Sequence, residues 1–287
     1  MKYNLSDICD YVRGKVDVAS LIYENYISTE NMISNKGGIT SASSLPSVAQ
    51  TQSFQVGDIL VSNIRPYFKK IWFAEFNGGC SNDVLVLRAK DGISKKFLYY
   101  VLTDDTFFNY SMLTSKGTKM PRGDKAAIMK YEVPGFTYKE QEKIAKILEA
   151  FDKKIQLNLN INDNLEQQAR ELFSNFYERA TESVPFTSII QILGGGTPKT
   201  SESSYWNGDI PFFTPKDVGC PYTFMTEKTI TEDGLNHCNS RLYPVNTIFV
   251  TARGTVGKVG LSGSPMAMNQ SCYALVGKDI EQLLVYF

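Results

Sequence analysis

The sequence predicts an α/β fold of the mixed α+β kind: two domains of mixed sheet and helix separated by a long coiled-coil-forming helix. Three observations predict it. A length of 287 residues suits two domains of roughly 100–150 residues each. One segment pattern is written twice, about 188 residues apart. Between the two copies, apolar residues recur at alternating spacings of four and three, the seam of a coiled coil.

The repeat is legible residue by residue. Phe54-Gln-Val-Gly-Asp-Ile-Leu-Val-Ser-Asn-Ile-Arg65 has its counterpart in Tyr243-Pro-Val-Asn-Thr-Ile-Phe-Val-Thr-Ala-Arg-Gly254. Each reads as a turn, an apolar strand, then small polar residues with an arginine. The stretch from Asn82 to Asp91 then parallels Gln270 to Asp279, and Phe97-Leu-Tyr-Tyr100 parallels Leu283-Leu-Val-Tyr286. In the first copy the strand-like runs are Asp58–Val61, Ile71–Phe76 and Val84–Leu87, followed by a helix over Lys95–Asn109. Little sequence follows Leu283, so the second copy is expected to be incomplete, without a second long helix after it.

The long helix has a marked start. Pro134-Gly135 breaks the chain, and Thr137-Tyr-Lys-Glu140 is a capping box, a hydroxyl and a carboxylate placed to satisfy free amides at a helix N-terminus. From Tyr138 to about Ala180 the seam comprises Ile144, Leu148, Phe151, Ile155, Asn158, Asn162, Leu165, Ala169, Leu172 and Phe176. Two amides on an apolar seam weaken packing but penalise wrong registers and partners. Two shorter helices broken near Leu157–Asn164 are the alternative. The expected organisation is residues 1–137, a spacer over 138–183, and residues 184–287.

Composition excludes more than it selects. Thirty basic and thirty acidic side chains balance, so any nucleic-acid contact must come from local patches. The first 137 residues carry 16 basic against 13 acidic residues. Five cysteines (Cys9, Cys80, Cys220, Cys238, Cys272) are widely spaced and odd in number, which fits reduced thiols in a cytoplasm and disfavours both disulfides and zinc. The N-terminus lacks a signal-peptide apolar run, and no stretch reaches the ~20 apolar residues of a membrane span. A cytoplasmic location is expected.

Catalytic patterns are missing. The one histidine, His237, adjoins Cys238, but neighbours in sequence rarely face each other as a catalytic dyad. Gly194-Gly-Gly-Thr-Pro-Lys-Thr200 lacks the phosphate-loop spacing and reads as a turn opening the second domain. No dinucleotide fingerprint and no Asn-Pro-Pro-aromatic sequence is present, and Asp58, Glu75 and Asp83 are scattered carboxylates with no nuclease spacing. No catalytic residue, metal site or cofactor is expected in this chain.

What remains is recognition chemistry. One cluster holds Asn63, Arg65, Tyr67, Lys69 and Lys70, and a second holds Lys116, Thr118, Lys119, Arg122 and Lys125. The second copy offers Lys199, Arg253, Thr255, Lys258, Asn269 and Gln270. Singly, each is an ordinary solvated side chain. Together, at equivalent places in both repeats, they combine cations for phosphates with groups able to read base edges.

The run Val133-Pro-Gly-Phe-Thr-Tyr-Lys-Glu-Gln-Glu-Lys-Ile-Ala-Lys-Ile-Leu-Glu-Ala-Phe-Asp-Lys-Lys-Ile155 resembles the central conserved region of Type I restriction-modification specificity subunits. Gly195-Gly-Thr-Pro198, Tyr205-Trp to Pro211, Thr251-Ala-Arg-Gly-Thr-Val-Gly-Lys258 and Met268-Asn-Gln270 are similar to successive segments of a target recognition domain in that family. The resemblance implies two target recognition domains, each reading half of a split site in double-stranded DNA. It implies a spacer helix that docks methyltransferase subunits, and further assembly with a restriction and translocase subunit. Adenine methylation and ATP-dependent cleavage would then belong to the complex, with S-adenosylmethionine, ATP and Mg in the partners. The seam residues would meet a partner helix, and a homodimer through the spacer is the leading expectation. The alternative is a silent specificity cassette that binds the methyltransferase without defining a target.

Overall fold

The structure is a computed structural model and describes residues 2–219 and 221–287. It divides into two compact units, Met1–Leu159 and Asn160–Phe287, the division falling inside the long helix.

The first unit contains the strands β1 (Cys9–Tyr11), β2 (Lys15–Asp17), β3 (Tyr26–Ile27), β4 (Gln50–Phe54), β5 (Ile59–Ser62), β6 (Ile71–Phe73), β7 (Gly78–Cys80) and β8 (Val84–Ala89). Helices α1 (Lys95–Thr103) and α2 (Asp105–Leu113) follow. One sheet has the order β1-β8-β5-β6, antiparallel throughout. The other has the order β2-β4-β7-β3, with β3 parallel to β7.

Strands β5 and β8 read as unbroken apolar runs because both faces are covered. Successive side chains point to opposite faces, so Ile59, Val61, Leu85 and Leu87 pack under α1 and α2 with Phe97, Leu98, Leu102, Phe107 and Phe108. Leu60, Val84 and Val86 turn the other way, onto Ile27, Met32, Phe54, Trp72 and Cys80. Each such fully buried side chain contributes roughly 1.5–3 kcal/mol.

The single helix expected over Lys95–Asn109 is two. Asp104 sits extended between them at φ −64° and ψ 140°, and its carboxylate accepts the Thr106 amide at 2.8 Å. The break lets Phe107 and Phe108 turn into the core, where both are buried. The strand expected over Ile71–Phe76 pairs only to Phe73.

Helix α3 runs unbroken from Tyr138 to Glu178, so the alternative of two shorter helices is set aside. Its capping box forms: the Thr137 amide donates to Glu140 Oε2 at 2.8 Å and the Glu140 amide to Thr137 Oγ1 at 3.4 Å. Gln141 bolts the first turn down, accepting the Ser94 amide at 3.0 Å and donating to the Phe136 carbonyl at 2.9 Å. Ala145 is buried and Ile144 packs on the first unit's core. Ile144 therefore corrects the expected seam: its side chain is already spent on the first unit. Leu148, Phe151, Ile155, Leu165, Leu172 and Phe176 are exposed, Phe176 at 73%, as are Asn158 and Asn162. At its far end Phe173 stacks on Tyr177 at 5.8 Å between ring centres and lies 6.3 Å from the Phe287 ring.

The second unit contains β9 (Ile190–Gly194), β10 (Trp206–Phe213), β11 (Tyr222–Thr223), β12 (Lys228–Ile230), β13 (Ile248–Thr251), β14 (Val259–Ser262), β15 (Ala267–Met268), β16 (Cys272–Gly277) and helix α4 (Gln282–Tyr286). Its main sheet has the order β9-β16-β13-β14-β11, and a smaller one β12-β10-β15. The pairings repeat those of the first unit. Ser62 pairs with Val84 as Thr251 pairs with Cys272, and Ile59 with Phe73 as Ile248 with Leu261. In the parallel pair, Ile27 faces Cys80 as Phe213 faces Met268. The tandem repeat read from the sequence is thus a repeat of hydrogen-bond register. Among the described residues no helix is long and apolar enough to cross a membrane.

Candidate nucleic-acid interface

The two cationic clusters of the first unit, some fifty residues apart in sequence, form one surface. The loop after β5 is zipped to the segment before residue 124. The Arg65 amide donates to the Pro121 carbonyl at 2.8 Å and the Gly123 amide to the Asn63 carbonyl at 3.2 Å. Ile64 bridges to Arg122, and Lys116 bridges to Arg122 in turn, so residues 116–122 form a finger beside the loop. Gly123 is required by this approach: a Cβ there would stand 2.9 Å from Asn63 Oδ1 and 2.8 Å from Ser111 Oγ.

Several of the expected contact residues already have partners. Asp105 takes Lys36 on one oxygen and Lys69 on the other, both at 2.8 Å, and these two bonds hold its carboxyl down at about 2. Arg122 pairs with Asp83 at 3.0 Å and Lys116 with Asp124 at 2.5 Å. The Lys116 ammonium and two backbone amides likewise hold Asp124 at about 2. Lys70 Nζ donates to the Thr29 carbonyl at 2.6 Å. Exposed ion pairs of this kind are screened by water and contribute little, so a stronger anion competes for these cations at small cost. Thr118, Lys119 and Lys125 are exposed, and the Tyr67 ring lies tilted at 54° to that of Phe68, 4.7 Å between centres, on the surface.

Arg65 is the outlier. Its φ is 50°, in the left-handed region that costs an L-residue roughly 1–2 kcal/mol. Its Nε, like Asn63 Oδ1, is buried with no hydrogen-bond partner among the described residues. Unmet buried polar groups are expensive to keep and cluster where function requires them.

In the second unit, Arg253 joins Asn269 around one cavity of about 360 Å³, with Thr214, Lys216, Lys228 and Ser271. Lys216 and Lys228 were invisible to sequence reading because strands far apart in the chain bring them beside Arg253. Gln270 is hydrogen-bonded to Thr197, while Lys199 and Lys258 are exposed. The segment from Gly195 runs against Met268–Gln270, close enough that a Cβ on Gly195 would meet the Asn269 carbonyl at 2.3 Å. The glycine run read as a turn is instead the end of β9 and an approach of backbone to backbone that leaves no room for a Cβ on Gly195.

The groups weighed for catalysis are separated. His237 Nδ1 lies 2.8 Å from the Asp233 carbonyl and its ring stacks on Tyr205, while Cys238 Sγ faces the Leu235 carbonyl. Burial pushes the Cys9, Cys80 and Cys272 thiols up to about 12, so they stay protonated near neutral pH. Cys220 lies outside the described residues. Asp58 and Asp83 are committed to Arg88 and Arg122, and no group of three or more metal-ligating side chains forms among the described residues.

The chain carries two repeated α/β units, a long helix, and loops bearing cations in each unit. The family model for the Type I restriction modification DNA specificity domain matches residues 1–167 and 179–287, and the chain belongs to that family. It is 36% identical over 103 residues to the Type I restriction enzyme MjaIX specificity subunit of Methanocaldococcus jannaschii, covering 34% of this chain and 24% of that one. The chain thus spans about a quarter of that relative. It is 22% identical over 367 aligned positions to the HindI specificity subunit of Haemophilus influenzae, covering 97% and 79%. The crystal structure of a Type I restriction-modification S subunit from M. genitalium shares the fold, with a TM-score of 0.56 at 18% identity over 97% of this chain and 72% of that one.

Proposed function

We propose that the chain is the non-catalytic, DNA-sequence-reading subunit of a Type I restriction-modification complex, directing methyltransferase and restriction subunits to a split target in double-stranded DNA. The observation that carries this reading is the joining of residues 63–70 to residues 116–125 in one cationic surface. A loop of the same backbone register lies in the second unit. Phosphates are met by Arg65, Lys119, Lys125, Lys199, Arg253 and Lys258. Base edges are read by neutral donors and acceptors beside them, Thr118, Asn269 and Gln270 among them; Asn63, expected with them from the sequence, is buried under Gly123 and takes no part.

The exposed stripe on α3 is the docking face for partner helices. Leu148, Phe151, Ile155, Leu165, Leu172 and Phe176 are too apolar to favour water along such a length. Helices of methyltransferase subunits, or of a second copy of this chain, cover it. S-adenosylmethionine, ATP and Mg are held by the partner subunits, and the complex methylates adenine and cleaves DNA in the cytoplasm.

The test is co-purification with the cognate methyltransferase subunit, comparing the wild type with Lys119→Glu. The proposal expects partner binding to persist while DNA affinity falls at least ten-fold and steeply with salt. Equal, sequence-independent affinity in both would identify a silent cassette instead.

A further inference from the structure

The loops β5–β6 and β13–β14 turn the same two corners with different residues. The Asn63 amide meets the Asp83 carbonyl as the Ala252 amide meets that of Ser271, which places Arg65 opposite Gly254. The Ser62 amide meets the Lys70 carbonyl as the Thr251 amide meets that of Lys258, which places Lys69 opposite Gly257. Arg65 and Gly254 have φ of 50° and 78°, and Lys69 and Gly257 have 50° and 83°. A Cβ at Gly254 or Gly257 would touch nothing within 4 Å, so those glycines answer the backbone angle and not a lack of space. The first unit therefore keeps cations at two corners where its own repeat shows that glycine serves the fold.

Lys69 is held by Asp105, which leaves Arg65, among the described residues, as the corner's cation without an ion-pair partner. Its backbone is fixed on both sides. The amide donates to Pro121, the carbonyl accepts the Phe68 amide at 3.0 Å, and Pro66 limits the next φ. A turn common to both repeats suits what two different half-sites have in common, the phosphodiester backbone, and not the bases by which they differ.

We infer that Arg65 is a positioning residue: it clamps one backbone phosphate and sets the register of the first unit on the duplex, leaving base discrimination to other side chains. This rests on the DNA-reading function proposed above. The experiment uses the complex with its methyltransferase and compares wild type, Arg65→Lys and Arg65→Gly. Affinity is measured against salt for the target duplex and a scrambled one, together with the methylated motif and the melting temperature.

Arg65→Gly is expected to weaken both duplexes by the same factor and to lower the slope of log affinity against log salt by about one, the share of one phosphate. The motif stays unchanged and the melting temperature does not fall, since glycine fits the corner. Arg65→Lys keeps the slope. A motif that relaxes at one base pair in Arg65→Gly with the slope intact would make Arg65 a base reader and overturn the inference. So would wild-type behaviour of Arg65→Gly. A wild-type complex that shows no sequence preference would remove the function itself and the inference with it.

Discussion

Asp58 grips Arg88 with both carboxylate oxygens, Oδ1 to Nε and Oδ2 to Nη2, each at 2.7 Å, across neighbouring strands of the first unit's main sheet. Asp58 is 1% exposed and also accepts the Gln55 amide at 2.8 Å, fixing the turn that launches β5. In the second unit the register puts Thr247 and Val276 at these places, so the fold itself does not demand an ion pair here. Once built, however, it is costly to halve.

Asp58→Ala is expected to destabilise the protein by about 2–3 kcal/mol, the loss of charge-assisted bonds and an orphaned amide. The cost stops short of a fully buried pair because the Arg88 side chain is 38% exposed and regains water. Urea unfolding of the variant checks it; a change under 0.5 kcal/mol would contradict the estimate.

Gly123→Ala is expected to cost about 1–3 kcal/mol through crowding, because its Cβ would stand 2.8 Å from both Ile128 Cδ1 and Ser111 Oγ. The same crowding pushes the finger away from Asn63, so DNA affinity falls more than stability predicts. Thermal melting and a binding titration on one preparation separate the two effects.

Asp105 gives the acid response its sign. Its folded-state carboxyl lies below the ordinary 3.8, at about 2, because Lys36 and Lys69 favour the charged form. A depressed carboxyl contributes stability that is present above pH 3.8 and is lost as pH falls toward 2. Asp105→Asn should therefore show a shallower loss of stability across that window, measured by circular dichroism. It also frees Lys36 and Lys69, so its DNA affinity at neutral pH is expected to rise and its salt dependence to steepen.

Leu165→Asp together with Leu172→Asp is expected to abolish docking on α3 without unfolding either unit, since both side chains are about 60% exposed (58% and 61%). Light scattering of the chain alone and with the methyltransferase subunit reads the effect. Unaltered assembly would move the docking face elsewhere.

Much of this architecture was legible because it is periodic. Phe54–Arg65 and Tyr243–Gly254 align without a gap, and the structure pairs them in matching registers. The long helix from Tyr138 to Glu178 follows from its apolar spacing, and Thr137 with Glu140 marks its start. The break at Asp104 was missed although Asp104-Asp-Thr106 carries a capping signal, because the apolar run on either side reads as one helix. Ile144 satisfies the seam spacing yet belongs to a core assembled from Leu5, Leu98 and Val133, a choice only the tertiary fold makes. The Lys36–Asp105–Lys69 network and the grouping of Lys216 and Lys228 with Arg253 join residues far apart in the chain, and no local pattern announces them.

The central claim is that this chain chooses the DNA sequence on which its partners act. Sequencing of methylated adenines in DNA from cells holding only this chain and its methyltransferase tests it most directly. One defined split motif is expected, lost when the chain is omitted. A complex that forms and methylates without any motif, or a motif unaffected by removing the chain, would contradict it.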